Sequence, residues 1–270
     1  MPELPEVETT VRGLRPVLVG RRIAALEARR PDLRRAFPPD LRQRMTGARV
    51  TAIRRRAKYG LIDTDRGDTM IFHLGMSGHW RIDPEALGMH DHLVIDTDAG
   101  RRVTLNDARR FGSVDAVRTD AVVAWPAIAA LGPEPLESAF NAATLATAVA
   151  GRAAPIKAML MDQRIVAGLG NIYVCEALNL ARMSPVRVAG RISPERLGRL
   201  VDAVRGVLDR AIAVGGSTLR DFKAPDGTLG LFPKDYRVYG REGQACPCGG
   251  TVKRRVDAGR STFYCGRCQR

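Results

Sequence analysis

The chain is short of acid and has no long apolar run. Its 270 residues hold 43 Lys and Arg against 29 Asp and Glu, a net charge of +14. No uninterrupted apolar stretch approaches the ~18 residues of a membrane-spanning helix. The most apolar segment, 121–131, is broken by Trp125-Pro126. There is no basic-then-apolar leader, no internal repeat, no low-complexity tract, and no basic amphipathic helix with bulky apolar anchors. These absences argue against a membrane partner and for a cytoplasmic globular protein whose five cysteines are reduced. The surplus cations are mostly arginine, which suits bidentate phosphate contacts, so nucleic acid is the expected polyanion.

What is present falls into three stretches. Val7, Val11, Leu14 and Leu18 recur at helical spacing, and Pro16 is expected to kink or end that helix near its last turn. Strands are expected over 50–56, 61–64, 69–74, 93–97, 102–105 and 113–118. Turns are expected at Asp65-Arg66-Gly67-Asp68 and Asp98-Ala99-Gly100, a pattern that suggests a sandwich or barrel. After the breaker Leu131-Gly132-Pro133-Glu134-Pro135, helices are expected over 144–150, 156–162 and 172–182. The clearest helix has Ser193 as N-cap and Pro194 at its first position, and ends at Gly215-Gly216. A loop rich in Gly, Pro and Asp follows over 217–236. The division expected is 1–131, 132–236 and 237–270, in an α+β chain.

The two ends of the chain carry the chemistry. At the start stand Pro2, Glu3 and Glu6. Removal of Met1 would leave Pro2 as a free secondary amine, a nucleophile able to form an iminium ion without a cofactor. A terminal amine of pKa ~8 is about one-tenth free base at neutral pH, whereas a lysine is so in about one molecule in 2,500. At the other end, Cys246-Pro247-Cys248 and Cys265-Gly266-Arg267-Cys268 form two close pairs, which point to a structural zinc site with four cysteine ligands on a β-ribbon. Residues 237–270 also hold eight Lys or Arg against Glu242 and Asp257, the charge of a DNA-binding element. The first pair is one residue shorter than the usual C-x2-C, so zinc is expected to bind less tightly than in an ordinary ribbon. Two thiolates on an extended strand could still face one metal, with Gly249-Gly250 supplying slack.

Five segments stand in order along the chain: 1–9 (MPELPEVET), Arg55-Arg56-Ala57-Lys58-Tyr59, His73-Leu74-Gly75-Met76-Ser77-Gly78, Gly168-Leu169-Gly170-Asn171-Ile172-Tyr173 and Gly259-Arg260-Ser261-Thr262-Phe263-Tyr264-Cys265. Together they resemble the bacterial formamidopyrimidine-DNA glycosylases, over essentially the whole chain. The resemblance implies an N-terminal β-sandwich with an N-terminal helix, a helix–two-turn–helix module and a C-terminal zinc ribbon. It implies a monomeric, nucleoid-associated enzyme of the bacterial cytoplasm. Such an enzyme extrudes an oxidised purine from damaged double-stranded DNA, displaces it at C1′ and nicks the strand by β- and δ-elimination. One structural zinc ion and no organic cofactor are implied.

Carried onto this sequence, the resemblance makes Pro2 the nucleophile, Glu3 the proton donor to the opening sugar, and Glu6 a support for that site. Lys58 is assigned to proton transfer in β-elimination or to holding a phosphate beside it, and Arg260 to the δ-elimination step. A guanidinium is a poor proton donor, so Arg260 reads better as a phosphate clamp. Met76, Arg109 and Phe111 match residues that enter the gap left by the flipped nucleotide. His90, Arg152 and Asn171 match DNA contacts. Read alone, His90-Asp91-His92 is either a metal pair or a polar strand edge. Ala108 stands where a proline is expected, which should loosen that loop slightly. Cys175 is expected to be a buried, inert thiol. The weighed alternatives are an endonuclease VIII-type enzyme preferring oxidised pyrimidines and a zinc protein that only binds damaged DNA.

Overall fold

The computed structural model describes residues 2–218 and 222–270, so Met1 and residues 219–221 of the expected 217–236 loop lie outside the described residues. It divides into two compact units, Met1–Ala129 with Val214–Leu231, and Ala130–Ala213 with Phe232–Arg270.

The first unit opens with α1 (Leu4–Leu18), whose Val7, Val11 and Leu14 are fully buried. Pro16 does not end it. Only one backbone bond is lost so near the C-terminus, and the helix runs two residues further before the Val19 N–H closes on the Arg15 carbonyl at 3.0 Å. There follow β1 (Ile23–Ala28), α2 (Leu41–Met45), β2 (Val50–Arg56), β3 (Tyr59–Thr64), β4 (Asp68–His73), β5 (His79–Ile82), β6 (Asp91–Thr97), β7 (Arg102–Asn106), β8 (Ser113–Arg118) and α3 (Pro126–Ala129). The strands make two four-stranded antiparallel sheets, ordered β1-β6-β7-β5 and β2-β3-β4-β8. One core joins them: Ile53, Ile62, Met70 and Phe72 from one sheet meet Trp80, Leu93, Ile95 and Val103 from the other. The Phe72 and Trp80 rings pack edge to face with centroids 5.4 Å apart. This is the expected sandwich, with all six expected strands and both expected turns in place. Two strands were not anticipated, β1 and β5.

The second unit contains α4 (Ala142–Val149), α5 (Ile156–Met161), α6 (Asn171–Leu180), α7 (Pro194–Ala213) and the hairpin of β9 (Val252–Asp257) and β10 (Arg260–Cys265). The expected cap at Ser193 holds, and Asn141 supplies one that was not anticipated. Asn141 accepts the Ala143 and Thr144 amides at the start of α4, and Ser193 Oγ accepts the Arg196 amide at the start of α7. The stripe Leu197, Leu200, Val201, Val204, Val207, Leu208 and Ala211 on α7 is buried. No helix among the described residues is long and apolar enough to cross a membrane. The architecture is α+β: sandwich, helical module and ribbon.

Candidate active site and metal centre

The acidic residues around Pro2 build the start of α1. Glu3 is the N-cap and Glu6 the third helical residue of a capping box, and the Glu3 N–H donates to Glu6 Oε2 at 2.7 Å. The other Glu6 oxygen accepts the Ser217 N–H at 2.7 Å, so one carboxylate ties the chain's first turn to the start of the 217–231 segment. Pro2, Glu3 and Glu6 are all buried. Burial alone would raise the Glu8 carboxyl one turn further on. Arg12 and Arg55 outweigh that and hold it below its ordinary value.

Lys58 lies on the two-residue turn between β2 and β3 and is buried, and Ala57 before it adopts a left-handed φ of 52°. Across the β3–β4 pair, His73 packs its ring on Tyr59 with centroids 5.0 Å apart. Burial, then the charges of Lys58, Arg34 and Arg35, push the His73 imidazole down to about 4. It is therefore neutral at neutral pH, and its Nδ1 accepts the Gly75 N–H at 3.1 Å. His73 was not singled out in the sequence beyond its place in a motif. The available signal was a histidine closing a strand that faces a lysine-bearing turn.

Met76, Arg109 and Phe111 come together on two loops. Gly75 has a φ of 61°, and a Cβ there would lie 2.2 Å from the Phe111 carbonyl carbon, so the β4–β5 loop lies directly on the β7–β8 loop. Asp107, fully buried, organises the join. It accepts Ser77 Oγ–H at 2.7 Å and the Gly112 N–H at 2.7 Å, while Ser77 Oγ accepts the Arg109 N–H at 3.2 Å. The Arg109 guanidinium sits 4.9 Å from the centre of the Phe111 ring. Met76 and Phe111 are 37% and 44% exposed, large apolar side chains held out of the core. His90 is half-buried beside this loop, and its carbonyl accepts the Asp107 N–H at 3.0 Å. Its neighbours bear out neither reading of the His-Asp-His run: Asp91 and His92 open β6, an inner strand paired to both β1 and β7, and both are buried in contacts with the protein. His92 Nε2 bonds the Asp107 carbonyl at 3.0 Å, and Asp91 is enclosed by Arg81, Thr104, Asn106 and the Gly88 N–H.

In the second unit, Arg152 is exposed just after α4. Asn171 is the first residue of α6, and its Nδ2 donates to the Ser261 carbonyl at 2.8 Å. Its Oδ1 is buried with no hydrogen-bond partner among the described residues. Ser261 takes one of the two amide hydrogens and leaves the other for a phosphate. Arg260 is exposed at the first position of β10, after a tight turn in which Ala258 and Gly259 take φ of 47° and 73°. The buried Lys157 on α5 anchors this hairpin: its Nζ donates to Thr262 Oγ1 at 2.6 Å, and that hydroxyl donates to Asp257 Oδ2 at 2.6 Å.

The four cysteine sulfurs lie within 4.8 Å of one another, with Cys246 and Cys268 at 3.9 Å and Cys248 and Cys265 at 3.5 Å. A tetrahedron with metal–sulfur bonds of about 2.3 Å has edges of about 3.8 Å, so the set fits one zinc ion. No other such cluster occurs among the described residues. The short first pair reaches the metal differently from the extended strand expected for it. It lies on a turn, closed by the Cys246 N–H to the Gly250 carbonyl at 2.7 Å and by the Gly249 N–H to the Cys246 carbonyl at 2.8 Å. Gly249 has a φ of 79°, and a Cβ on Gly250 would lie 2.8 Å from Cys265 Sγ, so both glycines are needed to fold one residue fewer around the ion. The Gly250 amide aimed at Cys248 pulls that thiol down to about 7, whereas burial pushes the Cys268 thiol up to about 12. Zinc binding displaces whatever protons remain. Cys175 is buried against the cysteine cluster, as expected.

Sandwich, helical module and four-thiolate ribbon together define a zinc-ribbon protein of the helix–two-turn–helix class. The family descriptions matched say the same: "Formamidopyrimidine-DNA glycosylase N-terminal domain" over residues 1–114, "Formamidopyrimidine-DNA glycosylase H2TH domain" over 131–223, and "Zinc finger found in FPG and IleRS" over 243–270. The formamidopyrimidine-DNA glycosylases of Rhizorhabdus wittichii and Novosphingobium aromaticivorans are 65% and 64% identical over 100% of this chain and of theirs. The crystal structure of the Thermus thermophilus MutM (Fpg) protein superposes with a TM-score of 0.90 at 41% identity, covering 99% of this chain and 98% of that one. The Lactococcus lactis Fpg, solved with abasic-site DNA, gives 0.91 at 33% identity over 99% of both chains. This chain belongs to the formamidopyrimidine-DNA glycosylase family.

Proposed function

We propose that the chain is a bifunctional DNA glycosylase and apurinic/apyrimidinic lyase of base excision repair, excising 8-oxoguanine opposite cytosine and ring-opened formamidopyrimidines. The observation that carries the reading is the Glu3–Glu6 capping box, which holds two buried carboxyl groups beside the amine that Met1 removal would free. The Pro2 nitrogen forms a bond to C1′ as the bond from C1′ to the base breaks, and the base departs with that electron pair. Glu3 gives its proton to O4′ as the sugar ring opens, leaving an iminium ion on Pro2. Loss of a C2′ proton expels the 3′ phosphate, a second proton loss expels the 5′ phosphate, and water releases the amine.

Glu6 holds the Glu3 backbone and is the positioning residue of this pair. Lys58 moves the β-elimination proton or holds the adjoining phosphate, and Arg260 clamps a departing phosphate. Met76, Arg109 and Phe111 fill the gap left by the extruded nucleotide: a flexible wedge, a planar cation for the orphaned base and an aromatic wedge for the neighbouring step. His90, Arg152 and Asn171 contact the DNA backbone, Asn171 through the amide hydrogen that Ser261 does not take. The working modules are 1–131, 132–236 and 237–270, acting as a single chain in the cytoplasm. The Lactococcus lactis Fpg, solved as a mutant with Fapy-dG DNA and as the wild type with DNA containing an oxidised pyrimidine, supports damaged DNA as substrate. The test is nicking of duplexes carrying 8-oxoguanine, formamidopyrimidine or thymine glycol. The two purine lesions should be cut at least about tenfold faster, a barrier difference of about 1.4 kcal/mol. Faster cutting of thymine glycol would assign the endonuclease VIII-type activity instead.

A further inference from the structure

Asn179 lies on the last turn of α6 and is 1% exposed. Its Oδ1 accepts Arg237 Nε–H at 2.9 Å. A guanidinium only donates, so this contact fixes which way the amide faces and turns Nδ2 toward the cysteines. Nδ2 is 3.0 Å from Gln269 Oε1, 3.8 Å from Cys246 Sγ and 3.9 Å from Cys268 Sγ. Gln269 takes one of the two hydrogens. The other points between two sulfurs that are themselves 3.9 Å apart, and these are its acceptors. The framework is rigid. Gln269 Oε1 also accepts the Cys265 N–H at 2.7 Å, Gln269 Nε2 donates to the Met183 carbonyl at 2.9 Å, and Glu176 on the same helix accepts the N–H groups of Arg237, Val238 and Tyr239.

The short cysteine pair explains why such a donor matters here. Pro247 has no N–H, the Gly249 N–H is spent on the Cys246 carbonyl, and the Gly250 amide serves Cys248. Of the turn that follows Cys246, only the Cys248 N–H is left for its sulfur. We propose that Asn179, though not a ligand, belongs to the zinc centre: its amide hydrogen, shared by the Cys246 and Cys268 thiolates, stabilises their charge and raises the affinity for the metal. A hydrogen bond to an anionic sulfur is charge-assisted, and partners of this kind behind the ligands typically change metal affinity about 10–100-fold.

The test uses the zinc-loaded full chain in competition with a chelator of known zinc affinity. Asn179→Leu removes the donor at similar volume and should weaken zinc about tenfold. Asn179→Asp keeps the Arg237 contact but turns a carboxylate oxygen toward the thiolates, and should weaken zinc further, up to about 100-fold. Asn179→Gln keeps an amide on a longer arm and should recover much of the affinity. With cobalt(II) in place of zinc, the thiolate-to-metal absorption band should move to longer wavelength in the Leu variant, because a thiolate without its hydrogen bond gives up an electron more readily. A packing role would not move that band. Affinities within twofold of the parent for the Leu and Asp variants would overturn the proposal. So would an unmoved band, or a Gln variant as weak as the Leu variant.

Discussion

At Gly75 a methyl group would strike the Phe111 backbone, and that close approach brings Met76 to Phe111 and, through Ser77 and Asp107, to Arg109. None of this follows from the separate positions in sequence, where only the family resemblance set Met76 and Phe111 at the gap left by the flipped nucleotide. Their exposure is what the structure adds. Met76→Ala, Arg109→Ala and Phe111→Ala should each lower 8-oxoguanine excision by about 10–100-fold, and lower cleavage of a pre-formed abasic site much less, since an abasic site has no base to extrude. Equal losses on both substrates for all three would make them packing residues.

His73 makes a second prediction at this scale. Its folded-state pKa lies below the unfolded value, so its contribution is fully present above about pH 6.5. That contribution is lost as pH falls through that value toward about 4, where the folded imidazole takes up its proton. The loss is on the order of 3 kcal/mol. Both tryptophans, Trp80 and Trp125, lie in the first unit, so fluorescence-detected urea unfolding reports it alone. His73→Gln should flatten the change in midpoint between pH 6.5 and 4, and an unchanged pH profile would remove His73 from the account.

Among the elements, those with a clean period were legible and those with a local irregularity were not. The β1 strand buries Ile23 and Leu26, three residues apart, because its register against β6 shifts between Ile23 and Ala25, and that spacing imitates a helix face. The β5 strand has four residues, two of them His79 and Arg81, too few to show alternation. By contrast β2 and β8 match the expected residues at both ends. The ribbon was legible from its cysteines, but not the partners that α6 supplies: Glu176 and Asn179 look like ordinary polar positions on a helix and are 1% exposed.

Zinc removal is the test at this scale. Protein purified without chelator should carry one zinc per chain, and stripping it should disorder β9–β10, because metal affinity in such modules is folding free energy. With Arg260 no longer placed, δ-elimination product should fall before β-elimination product. Near-zero metal together with full two-step cleavage would contradict this.

Across the whole molecule, the residues proposed to act divide between the units. Pro2, Glu3, Glu6, Lys58, Met76, His90, Arg109 and Phe111 stand in the first, and Arg152, Asn171, Arg260 and the four zinc-site cysteines in the second. The sequence made the class of chemistry legible because a terminal proline among carboxylates and four spaced cysteines keep their meaning without a fold. It did not show which donors were already spent. The Asn171 amide, one of whose two hydrogens is taken by Ser261, is the plainest case. The central claim is that a terminal amine at Pro2 attacks the sugar, and borohydride trapping on 8-oxoguanine duplex tests it most directly. Reduction should yield a covalent protein–DNA adduct that peptide mapping places on Pro2, and acetylating the N-terminus should abolish it. An adduct on Lys58, or undiminished trapping by the acetylated protein, would contradict the account.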